Sequence, residues 1–116
     1  FAHAYEASLG FSKKLNHGEA VILGMQTALD FSLDKKLIKK NEFKSIKNHI
    51  IKAKLPVSIN KFFKLKDLSK IISFMTKDKK NNSSKISLVL LKKIGFPIFN
   101  KQYTKRELSV FLKKYL

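Results

Sequence analysis

A capping box opens the longest periodic stretch of this chain and constrains its fold most. Asn16 reads as a helix N-cap, and Glu19, three positions on, can reach back to the N-cap amide. From there Ala20, Val21, Leu23, Gly24, Ala28 and Phe31 keep an apolar face for about five turns, to about Leu37. Gly18, Ala20 and Gly24 are small residues spaced for a close helix contact. Glycine inside a helix costs about 0.5 to 1 kcal/mol relative to alanine, which implies a packing reason for its presence.

The other elements are punctuated in the same way. A first helix runs from before Phe1 to about Leu9, where Gly10 suits a left-handed C-terminal cap. Asn41 reads as the cap of a third helix through about Lys54, with Phe43, Ile46, Ile50 and Ile51 at helical spacing and Pro56 ending it. A connector over residues 56–66 leads to a fourth helix from about Asp67 through Leu68, Ile71, Ile72 and Met75 to Lys77. Residues 78–85 are polar and turn-rich, a loop by composition. The aliphatic run from Ile86 to Ile94, with Gly95 and Pro97 after it, reads as a short β-hairpin-like segment over 86–99. Thr104 opens the last helix, with Glu107 in capping-box position and Leu108, Phe111, Leu112 and Tyr115 on one face. The expected fold is mainly α, one domain over residues 1–116 with about five helices.

At 116 residues the chain has room for one core. No run approaches the roughly 18 to 20 apolar residues that span a bilayer, and the start lacks the basic region of a signal peptide. A cytoplasmic protein without a membrane partner is expected. The absence of cysteine fits a reducing compartment and excludes a disulfide scaffold. Lys and Arg number 25 against 8 Asp and Glu, a net charge of +17 that by itself points to a polyanion. Arg106 is the only arginine, and the lysines are spread from Lys13 to Lys114. Base reading and bidentate phosphate recognition favour arginine, so the charge is expected on a solvated surface with no nucleic-acid partner.

Chemistry concentrates at the start, where His3, Glu6, His17 and Glu19 fall within a short span. His3 sits in an apolar run with Phe1, Ala2, Ala4 and Ala7, so it is either a satisfied core histidine or a working one. Glu19 is accounted for by the capping box. His49 lies among surface lysines and is assigned no role. The chain opens inside a helix with no capping residue, so it is expected to be cut from something longer.

Two blocks, FAHAYEA and LNHGEAVILGM, resemble the start of the C-terminal domain of 3-dehydroquinate synthase. The family writes G-H-T-F-G/A-H-A-x-E, whose last part falls on Phe1, Ala2, His3, Ala4 and Glu6. Its second block, L-x-H-G-E-A-V-x-x-G-M, matches Leu15, His17, Gly18, Glu19, Ala20, Val21, Gly24 and Met25. A third block, D-K-K-N followed by I-x-x-V-L-L and I-G, appears at Asp78, Lys79, Lys80 and Asn81, then Ile86, Val89, Leu90, Leu91, Ile94 and Gly95.

The resemblance implies an NAD- and metal-dependent lyase of the shikimate pathway, which serves aromatic amino-acid biosynthesis. Its substrate is 3-deoxy-D-arabino-heptulosonate 7-phosphate and its products are 3-dehydroquinate and phosphate. By resemblance His17 is one of three ligands to zinc or cobalt. The other two are the histidine of the missing G-H-T and a glutamate of an N-terminal domain, which also carries NAD. His3 matches a histidine implied in proton transfer and substrate-phosphate contact. Glu6 is implied as a partner of a ring nitrogen of either histidine, and Lys79 or Lys80, with Lys79 preferred, as the lysine that binds the substrate anion. The resemblance further implies a homodimer, with G-H-T directly before Phe1. Two alternatives stand beside it: another sugar-phosphate cyclase sharing these blocks, and a basic helical module for nucleic acid or anionic membrane.

Overall fold

The computed structural model describes residues 1–56, 58–77 and 84–116. Its central helix, α2 (His17–Asp34), starts at the expected cap, where the Asn16 amide donates to Glu19 Oε2 at 2.8 Å. It ends earlier than the apolar pattern implies. Lys36 turns left-handed (φ 56°), Leu37 N donates back to Ser32 O, and Ile38 enters the core from the turn beyond.

The preceding helix, α1 (Ala2–Ser8), stops as expected at Gly10, with φ 64°. The third, α3 (Lys40–Lys52), corrects the reading of Asn41 as its cap. Lys39 takes the extended N-cap backbone without a side-chain cap, and Asn41 lies within the first turn. No residue of α3 is buried, and Lys47 ties it to α2 through Asp30 at 2.8 Å. Two single-turn 3-10 helices, Ile59–Lys61 and Leu65–Asp67, occupy the connector and bring Ile59 and Phe63 into the core. They lead into α4 (Leu68–Thr76).

The hairpin is longer than expected. β1 (Lys85–Lys93) pairs antiparallel with β2 (Phe96–Thr104), and the register sets Ile86 opposite Tyr103 and Leu90 opposite Ile98. Ile86, Leu88 and Leu90 alternate inward, as a half-buried strand requires. Asn100, Lys101 and Gln102 continue β2 through pairing with β1, which sets Lys101 opposite Leu88 and Gln102 opposite Ser87. The last helix, α5 (Lys105–Leu112), has the expected box: Thr104 N donates to Glu107 Oε2 at 2.8 Å, and Glu107 N to Thr104 Oγ1 at 3.2 Å. It ends before Tyr115, whose ring nevertheless stays 5.0 Å from Phe111.

These elements form one core with α2 through its middle. On one side β1 docks through Leu91 N, which donates to the buried Ser32 Oγ at 3.0 Å. There too the Phe31 ring meets Tyr103 at 4.7 Å and Phe111 at 4.8 Å. On the other side α1 lies between α2 and α4. Among the described residues no helix is long and apolar enough to cross a membrane.

The two helices α1 and α2 meet at backbone distance. A Cβ built on Gly24 lies 2.7 Å from Ala2 N and 2.8 Å from Ala2 Cβ, closer than side-chain atoms approach. The expectation of a close contact therefore holds at Gly24, whereas Gly18 has nothing within 4 Å. Alanine at position 24 gains about 0.5 to 1 kcal/mol of helix propensity. Overpacking against backbone costs about 1 to 3 kcal/mol, so the clash wins. Gly24→Ala is expected to destabilise the protein by about 1 to 2 kcal/mol in denaturant unfolding; a neutral or stabilised variant would show that the helices can separate freely.

Candidate functional site

The Ala2–Gly24 contact fixes the distance between α1 and α2. On α1, Ala2 and Glu6 share a face at i and i+4; on α2, His17 and Gly24 share one at i and i+7, two turns apart. Between these two helices Glu6 meets His17. The His17 Nδ1 to Glu6 Oε1 distance is 2.8 Å, with the Glu6 side chain 15 % exposed and His17 78 % exposed. The open choice between the two histidines as partner of Glu6 is resolved in favour of His17.

An ionised Glu6 can only accept, so Nδ1 carries the hydrogen in this pair. In the neutral ring Nε2 then holds the lone pair, and it makes no hydrogen bond among the described residues. A carboxylate on one ring nitrogen and a free lone pair on the other is the arrangement of a metal-ligating histidine. The donor chemistry fits one ligand of a set. Among the described residues no three His, Cys, Asp or Glu side chains gather into a metal-binding group.

His3 is exposed on α1, which removes the premise that it must be satisfied in the core. Ala4, Tyr5, Ala7 and Ser8 take the buried face, and His3 points away from them with its ring 5.9 Å from that of Phe11. The Phe11 ring also lines a depression of about 230 Å³, together with Glu6, Ser12, Leu15, Asn16 and His17, among others. Phe11 and Ser12 read as plain loop in the sequence, and no local signal marks them as site walls. Ser12 Oγ is buried without a hydrogen-bond partner among the described residues. A more enclosed cavity of about 30 Å³, lined by Gln26, Thr27 and Asp30 but also by Leu23, Ile59 and Phe111, has room for about one water.

Beneath the site, Tyr5 Oη lies 2.8 Å from Thr27 Oγ1, which donates to Leu23 O at 2.8 Å. Since the Thr27 hydrogen is used there, Tyr5 is the donor to Thr27. Burial pushes the Tyr5 hydroxyl well above the usual tyrosine range, so it stays protonated. The pair fixes α1 on α2 from below. Lys79 and Lys80 lie outside the described residues. His49 is exposed on α3.

Glu19 is occupied by the Asn16 amide, as expected of a capping residue. Glu19→Ala is expected to cost about 0.3 to 1.5 kcal/mol in thermal unfolding. Glu19→Gln should recover most of it, since glutamine also completes a capping box. A stability unchanged in Glu19→Ala would leave this carboxylate without its structural role.

The profile of the 3-dehydroquinate synthase C-terminal family matches residues 1–81. The whole chain is 58 % identical to a 3-dehydroquinate synthase of Pelagibacter ubique, covering 32 % of that protein. Over 97 % of its length it is 34 % identical to a 3-dehydroquinate synthase of Zymomonas mobilis, covering 30 % of it. Over its full length it is 32 % identical to one of Bradyrhizobium diazoefficiens, again covering 32 %. The chain thus spans about a third of the length of the curated relatives it matches.

Proposed function

This chain belongs to the 3-dehydroquinate synthase C-terminal family, and from that premise we propose that it is the metal- and substrate-binding part of a 3-dehydroquinate synthase. The reaction would convert 3-deoxy-D-arabino-heptulosonate 7-phosphate to 3-dehydroquinate and phosphate, with NAD on an N-terminal domain. The whole enzyme is read as a cytoplasmic homodimer. The observation that carries the reading is the Glu6–His17 pair at 2.8 Å, which leaves His17 Nε2 free and exposed.

In this reading His17 holds zinc or cobalt through Nε2, and Glu6 keeps the ring in the tautomer that can do so. A metal held there would supply Lewis acidity towards a substrate hydroxyl or carbonyl. His3, exposed on α1 with its ring near that of Phe11, moves a proton or holds the substrate phosphate, tasks an imidazole can serve. Lys79 or Lys80 neutralises the anionic substrate, Lys79 being preferred. A basic module for nucleic acid would leave the family match over residues 1–81 without a cause.

The test uses the full-length protein that carries this chain, with metal content by elemental analysis and turnover by phosphate release. His17→Ala should lose its metal. Glu6→Ala should weaken metal affinity by about 10- to 100-fold, the usual effect of removing an outer partner. His3→Ala should keep the metal and lose about 10² to 10⁴ in turnover, the range for general acid–base catalysis. Lys79→Ala should weaken substrate binding by about 1.5 to 3 kcal/mol, the value of a charge-assisted hydrogen bond. Metal retained in His17→Ala, or lost in His3→Ala, would mean that the roles belong to other residues.

A further inference from the structure

We propose that Phe11 is a positioning residue for His3: a left-handed turn holds its ring against the imidazole, where it also walls the depression beside Glu6 and His17. The proposal rests on the reading of His3 as the group that moves a proton or holds phosphate.

The turn that ends α1 needs one left-handed residue, and Gly10 supplies it. Gly10 N donates to Ala7 O at 3.0 Å and Phe11 N to Glu6 O at 2.9 Å, which satisfies the last carbonyls of the helix. Phe11, the next residue, is nevertheless left-handed as well, with φ 53°. The other such non-glycine residues have evident reasons. Lys36 and Lys54 each sit just past a helix end, where a left-handed residue closes the last turn, and Asn100 is a type that tolerates this region. A bulky aromatic residue has no such tolerance, and its backbone is strained.

Burial does not offset that strain, because Phe11 is 67 % exposed. What the conformation achieves is a contact: the Phe11 and His3 rings lie 5.9 Å apart at 50°. His3 is exposed and has no hydrogen bond among the described residues, so this ring is what limits its rotation. His17 is held by Glu6 in a comparable way. Each histidine thus has one restraining neighbour, a carboxylate for His17 and an aromatic face for His3. Strain retained beside a reactive group is a recurrent feature of working sites.

Two variants of the full-length protein test this. Phe11→Asn removes the ring and keeps a residue type that accepts the left-handed backbone; Phe11→Tyr keeps the ring. Phe11→Asn should unfold at the wild-type temperature or above and lose about ten- to a hundredfold in kcat, the cost of slight misplacement at a reacting centre. KM should rise less than kcat falls, and the His3 Cε1–H resonance should move as the ring current disappears. Phe11→Tyr should keep wild-type values of all three. A purely structural role predicts the reverse, a lowered unfolding temperature with kcat unchanged. That pattern, an unmoved His3 resonance, or a Phe11→Tyr variant as impaired as Phe11→Asn would overturn the proposal while leaving the proposed reaction standing. A wild-type protein that releases no phosphate from the heptulosonate phosphate would overturn the reaction, and this inference with it.

Discussion

The candidate site depends on the absence of one side chain. Gly24 lets the backbone of α1 touch α2 at Ala2, and the helices cannot come closer. Further along the same two helices, a glutamate then reaches a histidine directly. A wider spacing would put water between Glu6 and His17, and a solvent-separated pair does not fix a ring. The Tyr5–Thr27 hydrogen bond holds the same two helices together on their buried side. Glycine at position 24 weakens α2 as an isolated helix and makes the site possible, an exchange of local propensity for tertiary geometry.

On its far side α2 is held by aromatic packing. Phe31 meets rings from β2 and α5, and Lys35 lies over two of them, 5.3 Å from Phe31 and 5.6 Å from Tyr103. Asp30 and Asp34 of α2 bind Lys47 of α3 and Lys114 after α5, at 2.8 and 2.5 Å. Two of the few acids of this lysine-rich chain are thus placed where they brace the central helix. With 8 acidic residues against 25 basic ones, most lysines have no acidic side chain to pair with and belong to solvent. The partly exposed Lys114–Asp34 pair contributes little, whereas Lys47–Asp30 is largely covered.

What was legible in the sequence was local. The boxes at Asn16 and Thr104 use side chains three positions apart, and both helices start there. Helix ends were harder: left-handed Lys36 and Lys54 carry no mark of residue type, and Asn41, a good capping residue by type, is not a cap. The reach of β2 to Thr104 comes from pairing with β1, which no short window contains. Residue type and motif singled out His3, Glu6 and His17. That Glu6 meets His17 follows from the packing of two helices, a contact eleven positions apart that no motif spells out. Of the two readings open for His3, the core one falls: its apolar neighbours hide in the sequence the helical phase, about 100° per residue, that turns it outward from Ala4, Tyr5 and Ala7.

The docking of α1 governs how long the site exists. Its buried face rests on α2 and α4, and the Glu6–His17 pair persists only while that contact is made. Any local opening that releases it dissolves the Glu6–His17 pair at once, even while the hairpin and α5 keep their places. The fraction of molecules with a formed site then follows the opening free energy of one docked segment, and amide exchange along Ala4–Ala7 reports it more directly than global unfolding does. A substitution in the buried wall under α1, at Thr27 or Phe63, can thus deplete the working population without touching the depression itself.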